Sequence, residues 1–111
     1  MKPPIWRSTA RRDAADSAYW YATQAGHATG ERFLTAVDAG LAHVSRHPAS
    51  GSPRYAMPLN LEGLRFWPIN GFPYLIFYIE RDTHLDVWRV LHAQRDVPAW
   101  MSEAPSHTTK T

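Results

Sequence analysis

Six side chains in the second half of this 111-residue chain have the types needed to act together on a phosphate ester: Arg65, Tyr74, Tyr78, Arg89, His92 and Arg95. Cleaving RNA without a metal takes a base for the 2′-hydroxyl, cations for the phosphate and an acid for the leaving 5′-oxygen. His92 would supply the base, and the arginines would clamp the phosphate. The plainer alternative is structural. Arg65 and Arg89 would anchor a sheet or meet carboxylates of a partner, His92 would cap or fill, and the adjacent Arg95 and Asp96 would form a local ion pair, worth under ~1 kcal/mol if exposed.

Other chemistries find less support. His43 and His47 stand four residues apart, a spacing that can bind zinc from one helix face, but no third ligand is evident and no metal site is expected. At a helix end, His47 would instead be favoured as a cation by the helix dipole. There are no cysteines, which removes disulfides, thiolate metal sites and thiol nucleophiles. No cofactor motif is present. Five tryptophans, at positions 6, 20, 67, 88 and 100, are many for this length, and most are expected in the core or at partner contacts. Trp67 with Tyr74 and Tyr78 is the exception, since aromatics sharing a sheet face with arginine suit protein hot spots and single-stranded nucleic acid alike. The formal charge is +2, from ten Arg, two Lys and ten acidic residues. Arginine suits bidentate contacts with carboxylate or phosphate, but this excess is too small to demand nucleic acid, and an acidic protein would satisfy it equally well.

The elements that must position these groups follow from period and punctuation. A chain of this length, 44% hydrophobic, is one domain with a modest core. Residues 5–7 read as a short opening strand. Ser8 or Thr9 offers an N-cap to a helix over 11–25 that stops at Gly26. Ala15, Ala18 and Ala22 recur there at helical spacing, so another element can approach closely. A second helix over 29–47 carries one apolar stripe, Phe33, Val37, Leu41 and Val44, and ends at Pro48. The short break between them predicts an antiparallel helical hairpin. Residues 48–58 form a Pro- and Gly-punctuated loop. Beyond it, strands over 64–69, 72–79 and 85–91 predict an antiparallel meander. Asn70-Gly71 suggests a two-residue type I′ turn, pairing Ile69 with Phe72, Trp67 with Tyr74 and Arg65 with Ile76. Leu64, Phe66, Leu75 and Phe77 would then face the helices. Arg65, Trp67, Tyr74, Ile76 and Tyr78 would share the other face. No signal-peptide h-region follows Lys2, and the uncharged run 66–79 is short and broken by Pro68, Gly71 and Pro73, so a soluble, cytoplasmic protein without a membrane partner is expected. Residues 1–101 are expected to be the domain and 102–111 a flexible tail.

One run of motifs is more specific. Leu75-Ile76-Phe77-Tyr78 is followed by Val87-Trp88-Arg89-Val90-Leu91-His92-Ala93-Gln94-Arg95-Asp96. Upstream stand the Phe33-Leu34 pair, a loop with His47-Pro48, Gly51 and Pro53-Arg54, and Leu64-Arg65. In this order, over roughly residues 5–101, they resemble the ParE branch of the RelE/ParE toxin superfamily.

The resemblance implies an α+β fold, an N-terminal strand and a helical hairpin packed on an antiparallel sheet. It also implies a toxin of a type II toxin–antitoxin module, with a ParD-like antitoxin as partner. ParE-type toxins inhibit DNA gyrase by binding, without being enzymes, while the RelE branch cleaves mRNA on the ribosome. The only lysines here are Lys2 and Lys110, so the central lysines of RelE are missing, and Pro73-Tyr74 stands where RelE has an arginine after Gly-Tyr. Both departures favour inhibition over cleavage. The runner-up is a ribosome-dependent endoribonuclease using His92, Arg89, Arg95 and Arg65. Target or antitoxin contacts are expected at Arg65, Trp67, Tyr74, Tyr78, Arg89, His92, Arg95 and Trp100, with no sequence-specific nucleic-acid binding by the toxin alone.

Overall fold

The computed structural model describes residues 1–100. The order of elements is β1 (Pro4–Trp6), α1 (Ser8–Ala25), α2 (His27–Arg46), a 3-10 turn at Pro48–Ser50, β2 (Leu64–Pro68), β3 (Tyr74–Glu80) and β4 (Leu85–His92). The helices form a hairpin with one residue, Gly26, between them. Small residues set their approach. A Cβ on Gly30 would lie 2.8 Å from the Ala18 carbonyl oxygen and 3.0 Å from the Ala22 Cβ, so two of the three spaced alanines of α1 do receive a neighbour. All four residues of the α2 stripe, Phe33, Val37, Leu41 and Val44, are buried.

The sheet has the order β1-β4-β3-β2. Its three later strands are antiparallel, as expected. The opening strand joins beside β4 and runs parallel to it, Pro4 opposite Leu85 and Trp6 opposite Val87, so the sheet is mixed.

Three local expectations are corrected. First, the cap of α1 is Arg7, with no side-chain bond to the helix end, and the Thr9 hydroxyl instead donates to the Trp88 carbonyl. Second, the β2–β3 turn is longer than two residues. Trp67 pairs with Ile76 and Arg65 with Tyr78, and the Ile69 N–H bonds the Tyr74 carbonyl across residues 70–73. Gly71 has φ 85°, but Asn70 is not left-handed, which excludes a type I′ turn.

Third, the sheet faces the opposite way. The two-residue shift in pairing keeps each face's set intact. Yet Tyr74, Ile76 and Tyr78 pack with Phe33, Val37 and Leu41 of α2, and Trp67 lies against that cluster. Leu64, Phe77 and Leu91 form a second cluster with Leu59 and Val97, flanked by Phe66, Leu75 and Tyr55. Residues 53–63 and the helical residues 96–100 cover this far face, so both faces are dry.

At the start of the chain β1, α1 and β4 meet on one carboxylate. Arg7 donates to Asp86 through Nε and Nη2, both at 2.9 Å. Arg81 Nη2 reaches Asp86 Oδ2 at 2.9 Å, and the Trp88 indole N–H adds a bond at 3.2 Å. The Arg7 guanidinium also lies over the Trp88 ring, 3.8 Å from its centre. The Arg7 bonds, followed by those of Arg81, outweigh burial and lower the Asp86 pKa from the usual 3.8 to about 2.

A carboxyl whose pKa falls on folding stabilises the fold above its unfolded value of 3.8, and that contribution is lost as pH drops through about 2. At 1.36 kcal/mol per pH unit this amounts to about 2 kcal/mol. Asp86→Asn should therefore lose about 2 kcal/mol in urea unfolding at neutral pH, with the gap to the parent closing as pH approaches 2. A gap that stays constant with pH would contradict the assignment.

Candidate functional site

The residues singled out by chemistry fall into two groups. The first holds a loop. Tyr78 on β3 is fully buried. Its hydroxyl donates to the Pro48 carbonyl at 2.7 Å and accepts the Gly51 N–H at 3.0 Å. Burial raises its pKa, with the Gly51 bond opposing that. Arg65, opposite it on β2, donates through Nη1 to the carbonyls of Gly51 at 2.7 Å and Ala49 at 3.2 Å. A Cβ at Gly51 would strike the Tyr78 hydroxyl, which explains the glycine in the His47-Pro48…Gly51…Pro53-Arg54 segment. Trp67 of this group stacks on His43, ring centres 4.1 Å apart. His43 and His47 lie 5.3 Å apart, and among the described residues no three His, Cys, Asp or Glu side chains gather to hold a metal.

The second group surrounds the free edge of β4. β1 pairs only with Leu85–Val87. Just beyond, β4 has an irregularity, Phe77 facing Arg89 and Tyr78 facing Val87. From there α1 takes the place of a strand. Asp13 accepts the Val90 backbone N–H at 3.1 Å and a two-pronged pair from Arg89, Nε at 2.8 Å and Nη2 at 3.0 Å. The pattern repeats two residues on. The His92 N–H donates to Asp96 Oδ2 at 3.0 Å, while Arg95 Nε holds Asp96 Oδ1 at 3.0 Å and Arg95 Nη2 reaches the Tyr74 hydroxyl at 3.3 Å. Burial pushes the Asp96 pKa up, but the Arg95 and His92 bonds outweigh it and hold the carboxyl below its usual range.

His92 is part of this frame. Its Nδ1 accepts the backbone N–H groups of Gln94 at 3.2 Å and Arg95 at 3.1 Å, and its ring meets Tyr74 edge-on. A nitrogen that accepts two main-chain donors is a cap, which is the structural alternative for this histidine.

Between α1 and this edge lies an open cleft of about 470 Å³. Asp13, Asp16, Ser17 and Trp20 line it from α1, with Val90 and Leu91 at the strand and Arg95, Ala99 and Trp100 beyond it. The Arg89 guanidinium lies 5.7 Å from the Trp100 ring centre. The structure thus brings Tyr74, Arg89, His92, Arg95 and Trp100 together and leaves Arg65 and Tyr78 at the loop and Trp67 on His43 of α2. The sequence reading missed Asp13, Asp16 and Trp20, although their spacing of three and four puts them on one helix face.

A family model described as ParE toxin of type II toxin-antitoxin system, parDE, matches residues 5–97. Among solved structures, a chain titled as a chromosomal ParDE TA system from P. aeruginosa is similar in fold. Its TM-score is 0.71 at 12% identity, over 85% of this chain and 98% of that one. A comparison with curated proteins finds no matching relative.

Substitutions at two positions check the local roles. Tyr78→Phe leaves the Pro48 carbonyl and Gly51 N–H unpaired in a buried place and should lower stability by about 2 kcal/mol, read as the midpoint of urea unfolding. If His92 is a cap, His92→Ala should cost about 1 kcal/mol while His92→Asn, a good capping residue, keeps most of it. Equal losses for the two variants would refute capping.

Proposed function

This chain belongs to the ParE toxin family of type II toxin–antitoxin systems, and from that membership we propose that it inhibits DNA gyrase by protein–protein binding and is neutralised by a cognate ParD-like antitoxin. The observation that most favours binding over RNA cleavage is the state of the candidate catalytic groups. His92 Nδ1 is occupied by two backbone donors. Arg89 and Arg95 are each clamped to a carboxylate that also caps a β4 amide. Arg65 points its guanidinium at the carbonyls of the 48–51 loop. Lys2 is paired with Glu80 at 2.8 Å. A general base has to be within reach of a substrate hydroxyl with a free lone pair, and phosphate clamps must exchange their partner for the ligand. Each of these groups starts already bonded within the chain.

As a proposal, the domain spans 1–101 and the tail 102–111; residues 101–111 lie outside the described part of the chain. No helix among the described residues is long and apolar enough to cross a membrane, which agrees with a target such as gyrase. The contact residues we assign to gyrase or antitoxin are Arg89, His92, Arg95 and Trp100 around the β4 edge, with Arg65, Trp67, Tyr74 and Tyr78 supporting the neighbouring loop and core.

The test is supercoiling of relaxed plasmid by gyrase, with the full chain freed of its antitoxin and refolded. Inhibition that added antitoxin reverses is expected. Uninhibited gyrase, with toxin shown to be folded by circular dichroism, would overturn gyrase as the target, and mRNA cleavage on ribosomes would then be measured.

A further inference from the structure

Among the described residues, the cleft between α1 and the free edge of β4 has more acid than base. Three carboxylates, Asp13, Asp16 and Asp96, line it there against two guanidiniums, Arg89 and Arg95. Asp13 and Asp96 are matched to the arginines. Asp16 is exposed, and among the described residues it has no ion-pair or hydrogen-bond partner; Arg12, one turn earlier on α1, makes no ion pair with it. One turn later stands Trp20, whose bulky apolar side chain is 51% exposed, and Trp100 stands across the cleft. An indole held open to solvent beside an unpaired carboxylate is the combination that attracts an organic cation, through the ring face and the charge together.

An acidic side chain entering the cleft would meet the opposite situation. At Arg89 it would compete with the two-pronged Asp13 pair, at Arg95 with the Asp96 bond to Nε and the Tyr74 hydroxyl on Nη2, and it would be repelled by Asp16. We infer that this cleft is a docking site for a partner protein segment that presents an arginine or lysine, its charge set against Asp16 and its stem or head on Trp20. The recognition is thus of opposite sign to the one expected from the arginines alone. It concerns the cleft and does not depend on gyrase being the target, so the supercoiling assay and the following test can fail separately.

The full chain, labelled with nitrogen-15, is titrated with Nα-acetyl-arginine amide, and in parallel with Nα-acetyl-glutamate amide, while the Trp20 indole and Val90 amide resonances are followed. Arginine amide should shift both resonances saturably and glutamate amide should not. Asp16→Asn, a change at an exposed helix position that leaves the Asp13 and Asp96 bonds intact, should weaken arginine binding by about five-fold. Trp20→Ala should weaken it as well, read at Val90. Absence of a shift with arginine amide, equal affinity in Asp16→Asn, or a larger shift with the glutamate compound would each overturn the assignment.

Discussion

The constraint on which this molecule turns is the edge of β4. That strand is flanked along its whole length by β3, but on its other side β1 reaches only Leu85–Val87. Past that point its backbone donors would face an open groove, and an unpaired strand edge invites other chains. Carboxylates replace the missing strand. Asp13 from α1 takes the Val90 N–H and Asp96 takes the His92 N–H. Each acid is then held from behind by an arginine, so that a charge placed in a partly dry position is balanced where it stands. The short β1, the entry of α1 and the helical residues 96–100 are tied to one another through this arrangement.

The same bonds decide what the polar residues are available to do. Arginines, a histidine and tyrosines in one region look like catalytic equipment as a list of types. In three dimensions their donors and acceptors are mostly matched within the chain: Tyr78 to the Pro48–Gly51 loop, His92 to the following turn, Arg89 and Arg95 to aspartates. A rigid, internally satisfied polar surface suits binding, because little side-chain entropy remains to be lost when a partner docks.

The hairpin, its apolar stripe and the three-stranded meander were legible because they rest on period and punctuation, which are local. The direction of the sheet was not. Leu64, Phe66, Leu75 and Phe77 and the alternating set Trp67, Tyr74, Ile76 and Tyr78 are both apolar enough to be buried, and here both are, one under α2 and the other under residues 53–63 and 96–100. Alternation marks a solvent face only when one exists. The hydroxyls of the tyrosines made their set look like the wet one. Tyr78 is buried because a distant loop supplies a carbonyl and an amide for its hydroxyl, and no pattern in the strand announces that. The same holds for Asp13, whose partner is 76 residues away; nothing near it in the chain distinguishes it from Asp16, which has no such partner.

That contrast between two aspartates one turn apart carries the argument about recognition. Asp13 completes the sheet edge and Asp16 does not, yet both face one cleft with Trp20 above them. Asp13 and Asp96 balance the charges of Arg89 and Arg95, so among the described lining residues Asp16 is the charge left over. What the cleft shows to a partner is set by the group left over, and that group is negative. A count of basic residues, ten arginines in this chain, would point to an acidic partner here. The pairing of those arginines one by one points, for this cleft, to a basic one.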